Sequence, residues 1–151
     1  MLTEILNRCN AMEECYEFML AYAAQGLPSD IGSQSGGQLR EFLEHAVKAL
    51  DGLAESCTKA VEEEGLEPSE RYYAFLTVLG RDASDSLAAI DLVLAQPVIS
   101  SQLIDNLNAS IHIRALLTDL FLVGDILRAA NKTAPSTADC SSYCDETSDS
   151  Q

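Results

Sequence analysis

Few residues in this chain have types and spacing suited to chemistry. Two histidines, His45 and His112, and five cysteines, Cys9, Cys15, Cys57, Cys140 and Cys144, stand among 24 acidic side chains. A dinuclear metal centre in a helical core draws carboxylates and histidines from facing helices, and its sequence mark is a Glu-x-x-His pair. Position 42, three before His45, is Phe, and position 109, three before His112, is Ala, so neither histidine brings the required carboxylate. Glu13, Glu14 and Glu17 lie off the apolar seam of their own segment and read as a solvated face. No metal and no other cofactor is expected. Cys140-Ser-Ser-Tyr-Cys144 has three intervening residues, not the two of a redox-active Cys-x-x-Cys pair. Two thiols also fall short of the four ligands of a closed zinc site. The other cysteines sit in helical patterns where a reduced thiol acts as a small apolar side chain. No glycine-rich phosphate loop, nucleophile elbow or Ser/His/Asp arrangement is visible, and no enzymatic activity is expected.

His45 opens the run His-Ala-Val-Lys-Ala on the polar side of an amphipathic segment. An accessible imidazole nitrogen can accept a phosphoryl group if a cation lies near, and Lys48 follows one turn later. This run resembles the active segment of histidine phosphotransfer domains, helical bundles with an exposed histidine, a lysine three residues on and a small residue after it. The resemblance covers five residues, and Ala49 stands where that family has glycine. It implies an alternative function, phosphorelay with His45 as acceptor and Lys48 as its cation. The other reading of His45 is an ordinary surface histidine. His112 shares a stripe with Asp105, Asn108 and Asp119, expected to be the least apolar side of the last helix and to hold His112 in solvent or at an interface.

These side chains must be carried by helices, because the apolar residues recur every three or four positions. Leu2, Ile5, Cys9, Met12, Tyr16, Met19 and Ala23 form one unbroken seam ending near Gly26, a good residue to stop a helix. The glycine- and serine-containing stretch from Leu27 to Gly37 reads as a loop. Ser35-Gly36-Gly37-Gln38 has capping-box spacing. A second helix then runs along Leu39, Phe42, Ala46, Ala49, Leu53, Cys57 and Ala60 to Gly65. Ser69 is the expected cap of a third helix, buried along Tyr72, Leu76, Leu79, Ala83, Ser86 or Leu87, Ile90 and Val93 or Leu94. Small residues at Gly80, Ala83 and Ser84 permit close approach of a neighbour. A fourth helix, capped by Ser100 or Ser101, spans Ser101 to Arg128, the most apolar long run of the chain and the expected central stave. Its charges, Asp105, Arg114, Asp119 and Asp125, are too many for a membrane span. After Ala130 the periodicity ends.

The fold expected is therefore all-α, an up-down-up-down four-helix bundle over residues 1–130 with a disordered acidic tail over 131–151. Short connections favour antiparallel neighbours. The 151 residues carry 9 basic against 24 acidic side chains, a net charge of −15. Setting aside Lys132, Asp139, Asp145, Glu146 and Asp149 still leaves 8 against 20. Such a field repels nucleic-acid phosphates and anionic lipid headgroups, so no direct nucleic acid or membrane partner is expected. Met1-Leu2-Thr3-Glu4-Ile5 lacks a basic segment leading into an apolar one, which points to a cytoplasmic address.

These features favour a non-catalytic adaptor, regulatory or assembly protein that binds another protein, one with a basic surface, through the acidic residues Glu41, Glu44, Asp51 and Glu55. A small-ligand- or metal-binding bundle is the further alternative. The C-terminal half of the last helix is apolar almost all round, so Phe121, Leu122 and Ile126 are the expected interface of a homodimer. Tyr72 and Tyr73 in tandem cannot both face one core, which places one of them at a rim.

Overall fold

A computed structural model of the protein describes residues 1–133. Among them there are six helices and no strand: α1 (Leu2–Ala24), α2 (Gln34–Leu50), α3 (Leu53–Glu64), α4 (Ser69–Leu94), α5 (Ser101–Ala109) and α6 (Ile111–Thr133). Two of the four expected helices are thus each broken in two. Cys140, Cys144 and most of the expected tail lie outside the described residues, but Asn131, Lys132 and Thr133 continue α6 past the expected boundary.

The first break falls at Asp51-Gly52. Asp51 is extended and Gly52 takes a left-handed φ of 67°, a conformation that costs an L side chain roughly 1–2 kcal/mol and glycine nothing. The break frees carbonyls at the end of α2, and Arg8 of α1 donates to those of Ala49 and Asp51, at 3.4 and 2.6 Å. A cation at a helix C-terminus is favourably placed for its dipole. The second break falls at Ser110, whose extended backbone ends α5. Its hydroxyl accepts from the His112 N–H at 3.3 Å, the local competition with the helix ladder that serine offers.

Caps moved slightly from their expected places. Ser33, not Ser35, caps α2 by accepting from the Gly36 N–H at 2.9 Å. At α4 the Glu67 carboxylate, not the Ser69 hydroxyl, receives the Ser69 N–H at 3.0 Å. Ser100 caps α5 as expected, through the Leu103 N–H at 3.0 Å. Gly65 ends α3, with φ 61° and the Leu66 N–H donating back to Val61, the pattern of a Schellman stop.

No single helix is the central stave. α1 and α4 each pack against α2, α3, α5 and α6, so both unbroken helices lie between the two broken ones. The core combines Ile5, Cys9, Met12 and Met19 of α1 with Leu39 and Leu43 of α2, Leu53 of α3, Leu79 and Ile90 of α4, and Ile104, Ile113 and Leu116 further on. Along α1 the buried stripe passes through Cys15 and Tyr22, with the expected Tyr16 and Ala23 only half-buried. Phe18 and Phe42 stack at 4.6 Å between α1 and α2, a favourable aromatic separation. Gly80 faces Ala54 of α3 closely enough that an added Cβ would lie 3.3 Å from it.

At the end where α1 stops, a polar latch joins α1, α2, α4 and α5 through the α1–α2 and α4–α5 loops. Asp30, buried in the α1–α2 loop, accepts from Arg40 Nε at 2.6 Å and from the Ile99 N–H at 2.7 Å. The Arg40 guanidinium also donates to the carbonyls of Leu94 and Gln96, where α4 ends. The Tyr22 hydroxyl donates to the Ile99 carbonyl at 2.7 Å, and the Ser101 hydroxyl to the Tyr22 carbonyl at 2.6 Å. Gly36 is required here, because a Cβ at that position would overlap the Asp30 carbonyl.

Candidate functional site

Three places outside the latch bring together side chains of interest. The first is the acidic set. Glu41 and Glu44 are exposed on α2, Asp51 at its end and Glu55 in the first turn of α3, so the set straddles the break at Gly52. A cleft of about 130 Å³ opens there, with Leu50, Asp51 and Glu55 on one side and Gly80, Ala83 and Ser84 of α4 on the other. No basic side chain lines it. The glycine that breaks the helix therefore opens a small acid-rimmed recess beside the smallest residues of α4. His45 and Lys48 are exposed on α2, one turn apart, outside this recess.

The second place lies between α4 and α6. Ser86, fully buried, donates to the His112 backbone carbonyl at 2.9 Å and ties the two helices. The His112 ring is exposed, with Nδ1 3.9 Å from an Asp85 carboxylate oxygen of α4. Its expected stripe does not behave as one face: Asp119 and Asn108 are buried while His112 and Asp105 are exposed. Asp119, 8 % exposed, meets Asp82 of α4, and its Oδ2 has no hydrogen-bond donor among the described residues. Burial, then a shared hydrogen bond with Asp82 and the charge of that carboxyl, pushes the Asp119 pKa up to about 7. Two adjacent carboxylates repel when both ionise, so protonation of Asp119 favours its contact with Asp82. Sequence reasoning missed this site. The signal available was the positions of Asp82 and Asp119, each beside the apolar stripe of its helix.

The third place is an apolar groove of about 280 Å³ between α3, the first turns of α4 and the last turns of α6. Val61, Phe75, Leu76 and Leu127 wall it, Cys57 lies in it, and Leu122 and Ile126 stand half in water at 49 % and 40 % exposure. Tyr72 contributes to the lining and Tyr73 does not, although both rings are half-buried. Phe121, at 51 % exposure, is not part of the lining either, so of the three expected dimer residues only Leu122 and Ile126 border the groove. Arg71 is the one charged lining residue.

The thiols are free and buried at Cys9, Cys15 and Cys57. Burial pushes Cys57 and Cys15 up to about 12 and Cys9 up to about 11, with Glu13 adding to the shift at Cys9 and Cys9 itself adding at Cys57. They are protonated packing groups, not nucleophiles. Among the described residues no group of three or more His, Cys, Asp or Glu side chains is arranged to hold a metal ion. Glu13 is half-buried, and Glu14 and Glu17 are exposed on α1. No described helix is long and apolar enough to cross a membrane. No protein family, curated protein or solved structure matches this chain.

Proposed function

We propose that this protein is a non-catalytic adaptor, regulatory or assembly factor that binds a basic surface of another protein through its acidic face. The observation that carries the reading is the recess at Gly52. It offers Asp51 and Glu55 beside an opening large enough for part of a lysine or arginine side chain, with Glu41 and Glu44 on the adjoining helix. A net charge of −15 speeds encounter with a basic partner, and the recess adds a local point of register. The architecture proposed for it is an up-down-up-down four-helix bundle in which α2–α3 and α5–α6 each act as one broken stave. A cytoplasmic setting belongs to the same reading. Homodimerisation through Phe121, Leu122 and Ile126 remains the rival occupant of the α6 surface and enters as an outcome of the experiments below.

The experiment titrates a lysine- and arginine-rich helical peptide against the wild-type chain and against Asp51→Lys/Glu55→Lys. Binding that weakens at least tenfold in the variant and falls steeply with salt is the expected result. Equal affinity for both chains sinks the acidic-face reading. The same two proteins, used as baits in the native host, then separate a partner that depends on this face from background.

A further inference from the structure

We propose that the groove between α3, α4 and α6 binds a medium-chain amphiphilic anion, an n-alkyl carboxylate, with its chain along Val61, Phe75, Leu76 and Leu127 and its head on Arg71. This goes beyond the adaptor reading and does not rest on it, since the acidic recess lies on α2, α3 and the middle of α4.

The groove's lining is almost wholly apolar, and at about 280 Å³ it holds on the order of nine water-sized units. That is room for much of a hydrocarbon chain, near the lower size limit of small-molecule sites. Leu122 and Ile126 are left half in water at its edge, and a chain laid beside them removes apolar surface that the helices themselves do not cover. Cys57 adds a protonated thiol, so no negative charge is presented from inside.

The head group follows from Arg71. It is exposed, and no carboxylate among the described residues lies within ion-pair distance of it, in a chain with 24 acidic side chains. The neighbouring acid Glu67 is already engaged by the Ser69 N–H. A planar guanidinium with free donors takes a carboxylate through two parallel hydrogen bonds. One cation beside one apolar wall describes the complement of an amphiphilic monoanion. A second copy of this chain is a poorer complement. It would bring another 15 negative charges, and Phe121, the largest exposed side chain of α6, stands outside the groove lining.

The test is calorimetric titration of the full chain with hexanoate, octanoate and decanoate below their micelle concentrations, and with 1-octanol as the uncharged control. Affinity should rise about two- to fourfold per added methylene, and octanoate should bind about tenfold tighter than octanol. Arg71→Gln should lower octanoate to the affinity of octanol while leaving octanol unchanged, a pattern that a misfolded variant cannot give. Val61→Trp, which fills the groove, should remove both ligands. The proposal is overturned by the absence of saturable binding, by equal affinity for octanoate and octanol, or by an Arg71→Gln variant indistinguishable from wild type. A chain that elutes as a dimer and admits no alkyl ligand also overturns it and assigns the surface to a second copy. Loss of groove binding leaves the basic-peptide titration unaffected, so the two readings fail separately.

Discussion

The two ends of the molecule are built on different physics. Where α1 stops and α4 gives way to α5, Asp30, Arg40, Tyr22 and Ser101 join loop to helix through directional bonds, several of them buried. Where α3 stops and α4 begins, no side-chain hydrogen bond among the described residues crosses between α3, the first turns of α4 and the last turns of α6; those formed by Thr58, Thr77 and Arg128 stay inside their own helices. The ends lie far apart, since the nineteen residues of α4 from Leu76 to Leu94 span roughly 27 Å. Hydrogen bonds are directional and specify one arrangement, whereas apolar contact is non-directional and tolerates several. One end therefore sets the register of the helices, and the other is free to keep a groove that a ligand can complete.

Asp30→Ala should produce the largest effect. It leaves the Arg40 guanidinium without its carboxylate and the buried Ile99 N–H without an acceptor. Losing one member of such a pair should cost about 3 kcal/mol, less than for a wholly buried pair because Arg40 is partly exposed. Urea unfolding at constant slope measures it. Groove affinity within twofold of wild type would sharpen the contrast between the ends, and its collapse would break it.

Stability against pH should separate the regions next. Burial on its own would raise the Asp30 pKa, but the hydrogen bond from Arg40, the Ile99 N–H and the Arg40 charge outweigh it and hold the carboxyl below its ordinary value of 3.8. A carboxyl held low stabilises the fold above its unfolded pKa and loses that contribution as pH falls, so the latch weakens in acid. Asp119, held high by burial and Asp82, does the reverse. Its contribution is full below about 3.8 and is lost as pH rises through about 7. Opposite slopes should place the stability maximum where the two windows meet, at about pH 4. Asp119→Asn should flatten the alkaline side and raise the unfolding free energy at pH 8 by roughly 1–3 kcal/mol. A wild-type curve flat from pH 5 to 8 would remove the Asp119 proton from the account.

Gly52→Ala should cost roughly 1–2 kcal/mol, because alanine must adopt the left-handed conformation or straighten α2 into α3. Straightening would also close the acidic recess, so loss of basic-peptide binding should accompany it. The smallest effect is expected for Leu122→Gln, within about 0.5 kcal/mol in stability but with weaker alkyl-chain binding. A large loss of stability there would show that the groove edge is part of the core.

The amino-acid sequence by itself determined the helices, most of their ends and most of the buried stripes. Those features follow from 3.6-residue periodicity and from local stop and cap chemistry at Gly26, Gly65 and Ser100. It also placed Glu41, Glu44, Asp51, Glu55, His45 and Lys48 on exposed positions, because each lies off an apolar stripe. Only the tertiary structure decided that Gly52 and Ser110 interrupt their helices, since one glycine or serine inside a periodic run is locally tolerable and breaks it only when neighbours such as Arg8 satisfy the freed carbonyls. The same holds for the Asp30–Arg40 latch, the Asp82–Asp119 pair and the meeting of Arg71 with an apolar groove. Each joins residues from separate helices or loops, and side-chain periodicity along one helix carries no record of what the next helix brings opposite to it.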